Sequence, residues 1–244
     1  DKKHSLFVGS CGTYRLYTVK KLPTHRPRGR VDYQLLYIAS GKAHFYFNGK
    51  EQVVSAGNMV LYRPKEEQRY YYYGAEHPEV YWVHFTGNNV KNILRKYGIA
   101  DDVHVICSGI SMEYKQLYQN MIQELQLKQE DYEELLVNYL RQLFILIHRQ
   151  HLTKPRKKNP MIMDDMAQAV EYFRTHYNKP VSIEDYAASH NISVSWFIQN
   201  FKQYTNTTPA QYVQLLRTTN AKSLLETTNY NISEISNLVG YENP

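Results

Sequence analysis

Between residues 34 and 85 the apolar positions fall in short runs rich in β-branched and aromatic side chains. These are Gln34-Leu35-Leu36-Tyr37-Ile38, Ala43-His44-Phe45-Tyr46-Phe47, Glu51-Gln52-Val53-Val54, Met59-Val60-Leu61-Tyr62 and Val80-Tyr81-Trp82-Val83-His84-Phe85. Runs of this length and make-up predict β-strands. Turn residues separate them. Asn48-Gly49 is the strongest signal, because both central positions of a type I′ turn need positive φ; Ser40-Gly41 and Ala56-Gly57-Asn58 punctuate the neighbours. Strand alternation puts Val80, Trp82 and His84 on one face and Tyr81, Val83 and Phe85 on the other. The first 108 residues therefore predict a small all-β barrel or sandwich.

The period then changes from two to about 3.6. Ile110, Tyr114, Leu117, Met121 and Leu125 form one stripe. Tyr132, Leu135, Leu136, Tyr139, Leu140, Leu143, Phe144 and Ile147 form a wider one. These predict two amphipathic helices within residues 109–150, packed on the barrel or on their copy in a second subunit. Residues 151–162 are polar, basic and twice broken by proline, and read as a linker. Residues 163–244 are helical throughout. Met166, Ala169, Val170 and Phe173 share a face, Ser182 can cap the next helix, and Thr208-Pro209 opens a longer one. Along that long helix Tyr212, Leu215, Leu216, Ala221, Leu224 and Leu225 do not share a face. A helix buried on both sides between two subdomains is expected to look this way.

Within the helical part a pattern recurs 49 residues on. Ile183-Glu184-Asp185-Tyr186-Ala187, closing on Asn191-Ile192-Ser193, is echoed by Ile232-Ser233-Glu234-Ile235-Ser236, closing on Gly240-Tyr241-Glu242. Each copy reads as a short helix ending in a tight turn, with Asn191 and Gly240 as the residues that tolerate the left-handed conformation. The first copy continues into a second helix, Ser195 to Lys202. Helix, turn, helix is the device that lays one helix in the major groove of DNA. The second copy stops at Pro244, where its own second helix is expected to begin, so a further segment is expected after it. The first residue is Asp rather than Met, and a preceding piece is expected too.

Composition narrows the class. The 244 residues suffice for two domains. No run of about 18 apolar residues is present to span a membrane, and the start lacks a signal-peptide core. Cys11 and Cys107 are expected as free thiols in a reducing cytosol. The chain carries 29 Lys and Arg against 23 Asp and Glu, net +6. That excess suits a polyanionic partner, but from Lys154 onward nine cations face eight acids. The DNA reading therefore rests on pattern, not bulk charge.

With these stretches in view, the C-terminal part resembles the AraC-type transcriptional regulators, in which a long helix joins two helix-turn-helix units. The carrying residues are Ser182 to Ala187, Asn191 to Phe197, Phe201 to Asn206, Thr208 to Tyr212, Leu216-Arg217, Ala221 to Leu225, and Ile232 through Tyr241. The N-terminal part resembles the cupin-like barrel of the sugar-responsive members. There the match lies in His25 to Tyr33, Tyr37 to Gly41, Asn48 to Lys50, Ala56 to Met59 and Tyr81 to Phe85. The resemblance implies a cytoplasmic homodimer formed through residues 109–150, and a small-molecule effector, a sugar by preference. It also implies double-stranded DNA as target and RNA polymerase as a further partner. No cofactor or metal is expected. His190 and Asn200 stand where the family places apolar core residues, which predicts looser packing of the first unit; Ser236 is a milder departure.

The candidate DNA contacts are Ser195, Trp196 and Gln199 on the first recognition helix, with Ser193 as its cap. A glutamine can hold an adenine edge by two hydrogen bonds. Lys202, Arg217 and Lys222 are candidates for phosphate, against the plain alternative of solvated surface charge. By resemblance the Trp82 face looks inward, where the indole could stack on a sugar. Arg26 aligns with an arginine that meets ligand hydroxyls, and Tyr73 with a pocket tyrosine. His84 and Tyr46 complete the candidate ligand set, the direction of Tyr46 and His44 being left open. The alternative is that these aromatics simply fill the barrel. A metal-dependent cupin enzyme would need clustered histidine ligands. The His-x-His pair is absent, and Arg63-Pro64-Lys65-Glu66-Glu67-Gln68 occupies the place of the later histidine. A barrel serving a non-sugar metabolite or a protein partner is the third reading.

Overall fold

In the computed structural model, residues 3–16, 18–152, 160–205 and 207–241 are described. The chain divides into two compact units, Asp1–Lys157 and Lys158–Pro244. Among the described residues the first holds nine strands: β1 Phe7–Arg15, β2 Lys21–Arg26, β3 Tyr33–Ser40, β4 Lys42–Phe47, β5 Lys50–Ser55, β6 Asn58–Tyr62, β7 Gln68–Tyr73, β8 Glu79–Thr86 and β9 Val105–Cys107. They form two sheets, ordered β1-β8-β3-β6-β9 and β2-β7-β4-β5. All the strand pairs are antiparallel. Asn48 and Gly49 both have positive φ, as the turn between β4 and β5 requires.

β1, β2, β7 and β9 do not stand out in the hydrophobic pattern, and for β2 and β7 the reasons are identifiable. β2 contains Pro23 and alternates half-buried with exposed residues, which suits an edge strand, and it pairs only with β7. β7 is mostly four consecutive tyrosines, a run with no contrast between its faces.

Three helices cover the outer face of the five-stranded sheet: α1 Val90–Lys96, α2 Met112–Leu127 and α3 Tyr132–Leu152. Leu117, Tyr118, Met121, Leu136, Leu140, Leu143, Phe144 and Ile147 join Leu35, Tyr37, Leu61, Tyr81, Val83 and Phe85 in one buried cluster. The wide apolar stripe thus packs on the barrel within the chain, each fully buried aliphatic side chain contributing about 1.5–3 kcal/mol. Lys115 of α2 and Arg15 of β1 both clasp Glu79, at 3.0 and 2.5 Å. Burial alone would raise the Glu79 carboxyl; the two cations bring it below the ordinary range.

The second unit holds α4 Pro160–His176, α5 Ile183–Ser189, α6 Val194–Thr205, α7 Pro209–Thr227 and α8 Ile232–Leu238. Helices α3 and α4 enter the predicted linker from both ends, with Pro160 at the first helical position, where its missing N–H costs nothing. The rest of that linker, 153–159, lies outside the described residues, as do Glu242 and Pro244 of the second repeat copy.

The repeat is reproduced bond for bond. The Ser182 side chain accepts from the Asp185 N–H, and the Asn231 side chain from that of Glu234. Ile192 N–H donates to the Ala187 carbonyl at 3.0 Å, and Tyr241 N–H to that of Ser236 at 2.9 Å. Asn191 has φ 55° and Gly240 φ 91°. A side chain at Gly240 would meet the Asn178 backbone at 2.8 Å.

Two expectations are corrected. His190 and Asn200 do not loosen the first unit, because neither occupies its core. His190 is exposed, stacks on Tyr186 at 4.2 Å and bonds its carbonyl, and Asn200 donates to the Trp196 carbonyl at 2.8 Å. The core is instead closed by Phe173, Tyr186, Phe197, Phe201 and Tyr212. Helix α7 is not buried on both sides: Pro209, Tyr212 and Val213 are buried, whereas Leu225 is 52% exposed.

Candidate functional site

The space between the two sheets is lined by alternate residues of each strand. From β8 come Val80, Trp82 and His84, since Tyr81, Val83 and Phe85 belong to the helix-side cluster. Cross-strand partners share a face, so Gly12 and Tyr14 of β1 and Gln34 of β3 point the same way. From the opposite sheet come Arg26, Gln68, Tyr70 and Tyr72. Gly12 is required here: a Cβ would lie 2.6 Å from the Trp82 indole, which rests over it. The indole stacks with Tyr14 at 6.0 Å and meets His84 edge-on at 4.9 Å. Tyr14 passes contact to Tyr72, Tyr72 to Tyr70, and Tyr70 to Tyr62.

This interior is polar without being satisfied. Gln34 Oε1, Tyr62 Oη, Gln68 Nε2, Tyr72 Oη and Trp82 Nε1 are buried with no hydrogen-bond partner. A buried polar group left unpaired costs about 1–3 kcal/mol, and these five lie around one aromatic wall. Arg26 donates to Gln68 Oε1 at 3.0 Å and to the Tyr70 hydroxyl at 3.5 Å. Nearby Arg30 grips Asp32 with two bonds, 2.6 and 3.0 Å, and His84 Nδ1 lies 3.5 Å from Asp32 Oδ1. Burial, reinforced by Arg30, pushes the His84 imidazole down to about 4, so it is neutral near pH 7.

Trp82, Arg26 and His84 thus all face the interior. Tyr73 and Tyr46 do not, and this corrects the sequence reading. Strand alternation sends Tyr73 to the outer face with Tyr71, beside Lys21 and edge-on to His44 at 5.2 Å. Tyr46 lies on that same outer face, under the Arg69 guanidinium at 4.2 Å. His44, left open in the sequence, also faces outward, between Glu51 and Glu76 at 2.9 and 2.8 Å. The inward tyrosines are Tyr70 and Tyr72. Sequence reasoning missed them together with Gln34, Gln68 and Gly12. The signal was available in register: pairing β7 against Arg26 fixes which tyrosines share its face.

The helical unit presents a different kind of surface. Ser195, Gln199 and Lys202 are exposed at four- and three-residue spacing, which places them on one face of α6. Trp196 is half-buried beside them, its backbone N–H donating to the Ser193 hydroxyl at 3.2 Å, so Ser193 does cap α6. Lys222 is exposed and 3.8 Å from Glu226. Arg217 is corrected: its Nε and Nη2 donate to the Tyr177 and Lys179 carbonyls at 2.7 and 2.9 Å, and Tyr241 lies against it. Backbone carbonyls at and beyond a helix C-terminus lack helical partners and attract cations. Arg217 ties α7 to the end of α4 instead of standing free for phosphate. Among the described residues no group of His, Cys, Asp and Glu could hold a metal ion, and no helix is long and apolar enough to cross a membrane.

A β-sandwich with a polar interior, joined to a capped helix-turn-helix with an exposed polar helix face, defines a ligand-responsive DNA-binding regulator. Comparison with known proteins agrees. Residues 8–150 match the AraC-like ligand binding domain and residues 186–244 a helix-turn-helix domain. The chain belongs to the AraC-type transcription regulators. It is 27% identical to the lactose operon transcription activator of Staphylococcus xylosus, over 85% of this chain and 75% of that protein. It is 25% identical to the Msm operon regulatory protein of Streptococcus mutans, over 88% and 78%. It is also 25% identical to the raffinose operon transcriptional regulatory protein RafR of Pediococcus pentosaceus, over 91% and 82%.

Proposed function

We propose that this protein is a cytoplasmic, homodimeric transcription regulator of carbohydrate genes, and not an enzyme. A sugar or sugar derivative occupies the sandwich interior, held by Trp82, Arg26, His84, Gln34, Gln68 and Tyr72. The observation that carries this reading is the set of five unpartnered polar atoms around one aromatic wall, in a chain similar to regulators of the lactose and raffinose operons. Ser195, Trp196 and Gln199 meet base edges, Ser193 fixes the start of their helix, and Lys202 and Lys222 meet phosphates. Apolar residues of α2 and α3 left outside the core, among them Leu127 and Leu135 at 55% and 39% exposure, support pairing of subunits through this segment. RNA polymerase is the further partner this role calls for. The ligand acts by binding one disposition of the DNA-reading units more tightly than another.

The test is footprinting of the full-length protein on DNA flanking its own gene, at moderate salt, with and without a panel of sugars. Sequence-preferring protection that changes with one sugar is expected. No sequence preference at any salt would sink the DNA reading, and preference indifferent to every sugar would sink the effector reading.

A further inference from the structure

The unpartnered atoms of the interior are unequal in kind. Trp82 Nε1 and Gln68 Nε2 only donate, the Tyr62 and Tyr72 hydroxyls can donate, and Gln34 Oε1 alone is restricted to accepting. The charges are also uneven. Asp32 is the carboxylate beside this cluster, and Arg30 already holds it with two bonds. Glu67 turns to His25 at 2.9 Å, and Glu66 to the Arg63 backbone and side chain and to His104. Arg26 has neutral partners, Gln68 and Tyr70, and no ion pair among the described residues. Burial raises the Tyr14, Tyr62 and Tyr72 hydroxyls, so they stay protonated, and His84 is neutral near pH 7. The half-buried guanidinium of Arg26 therefore has no counter-charge among the described residues, in a site that offers mainly donors.

From this imbalance we infer that the effector is an anionic sugar derivative, whose carboxylate or phosphate lies against Arg26 and accepts from Gln68 Nε2 and Trp82 Nε1. An oxyanion is acceptor-only, and guanidinium binds it in a planar fork. The hydroxyls of the sugar ring then meet Gln34, Tyr62 and Tyr72. The inference rests on the sugar-sensing reading and adds the charge of the ligand.

The test is isothermal titration of the full chain with matched sets. These are galactose, galactose 6-phosphate and galacturonate; glucose, glucose 6-phosphate and glucuronate; and ribose with ribose 5-phosphate. Citrate and malate serve as anions without a sugar ring. At least one anionic sugar is expected to bind tenfold or more tightly than its neutral parent. The preference disappears in Arg26→Gln and returns to within a few-fold in Arg26→Lys. The phosphate and carboxylate arms decide between the two oxyanions. Binding of a neutral parent as tightly as its anion, or an anion preference untouched by Arg26→Gln, overturns the inference and leaves sugar sensing standing. Binding of citrate or malate with no sugar response overturns the sugar reading and this inference with it, as does binding in no arm.

Discussion

The two faces of the β2-β7-β4-β5 sheet are built from nearly the same residue types and are in opposite chemical states. On the outer face Tyr71 donates to Glu51, Glu51 also meets His44, His44 reaches Glu76, and Lys21 and Arg69 lie over the rings of Tyr71 and Tyr46. Its polar groups answer one another. On the inner face Gln68 and Tyr72 end in buried atoms with no partner, and Arg26 has no counter-charge among the described residues. A satisfied network gains little from a guest, whereas an unsatisfied one gains a hydrogen bond for each group the guest reaches. Composition alone would assign ligand contact to either face. The state of the hydrogen bonds is what favours the inner one in the proposed reading.

The strongest way to break this contrast is by truncation. Tyr70 is 2% exposed and packed among Phe45, Tyr62 and Tyr72. Tyr70→Ala is expected to cost about 3 kcal/mol or more in urea unfolding, the usual range for a large aromatic in a core. Tyr73→Ala, one strand-face away, is expected to cost under about 1 kcal/mol. Equal losses would mean that the two faces are equally structural.

Ligand response separates them next. Trp82→Ala is expected to weaken the effector at least tenfold, about 1.4 kcal/mol, while DNA binding without effector persists. Tyr46→Ala is expected to leave effector affinity unchanged. A titration in which the Tyr46 variant fails and the Trp82 variant does not would reverse the assignment.

Much of this was legible in the amino-acid pattern, and the gaps have physical causes. Trp82 and His84 could be placed because β8 alternates within a run long enough to show its period. The caps at Ser182 and Thr208 and the left-handed Asn191 and Gly240 follow from local chemistry, which needs no knowledge of the rest of the chain. Tyr73 was misplaced because four identical residues carry no phase, and only the register Thr24 to Tyr70 and Leu22 to Tyr72 supplies it. The sequence cannot tell Arg217 from a phosphate contact, because a surface cation and one that bonds the backbone at a helix end look alike in it. Its partners lie 40 and 38 residues away.

A third measurement follows the inner face through pH. His84 is held neutral by burial, with its folded value near 4 against an ordinary 6.5. Between those values the unfolded chain binds a proton that the folded chain refuses. Stability therefore falls as pH drops from 6.5 to 4, and this group causes no further loss below that. The Asp32 contact, which favours the charged form, tempers the effect to about 1–2 kcal/mol. Urea midpoints of the wild type and His84→Gln from pH 7 to 4 check it, and the variant is expected to lose that part of the slope. An identical slope in both would place the acid sensitivity elsewhere.

The smallest effect is the most direct probe of the contrast, because it removes one oxygen from each face. Tyr72→Phe deletes a fully buried hydroxyl that has no partner, so the folded protein no longer bears the cost of dehydrating it. Stability is expected to hold or rise by up to about 1 kcal/mol. Effector affinity is expected to fall, since the proposed function gives that hydroxyl to the guest. Tyr71→Phe deletes a hydroxyl that donates to Glu51 in the open. It is expected to lower the melting temperature slightly and leave effector affinity alone. Opposite signs in stability, and a response confined to Tyr72, are what an inner face prepared for a ligand requires. If Tyr72→Phe destabilised the protein as Tyr71→Phe does, its hydroxyl would have to be satisfied by bound water. The case for a ligand would then rest on Arg26 and Trp82.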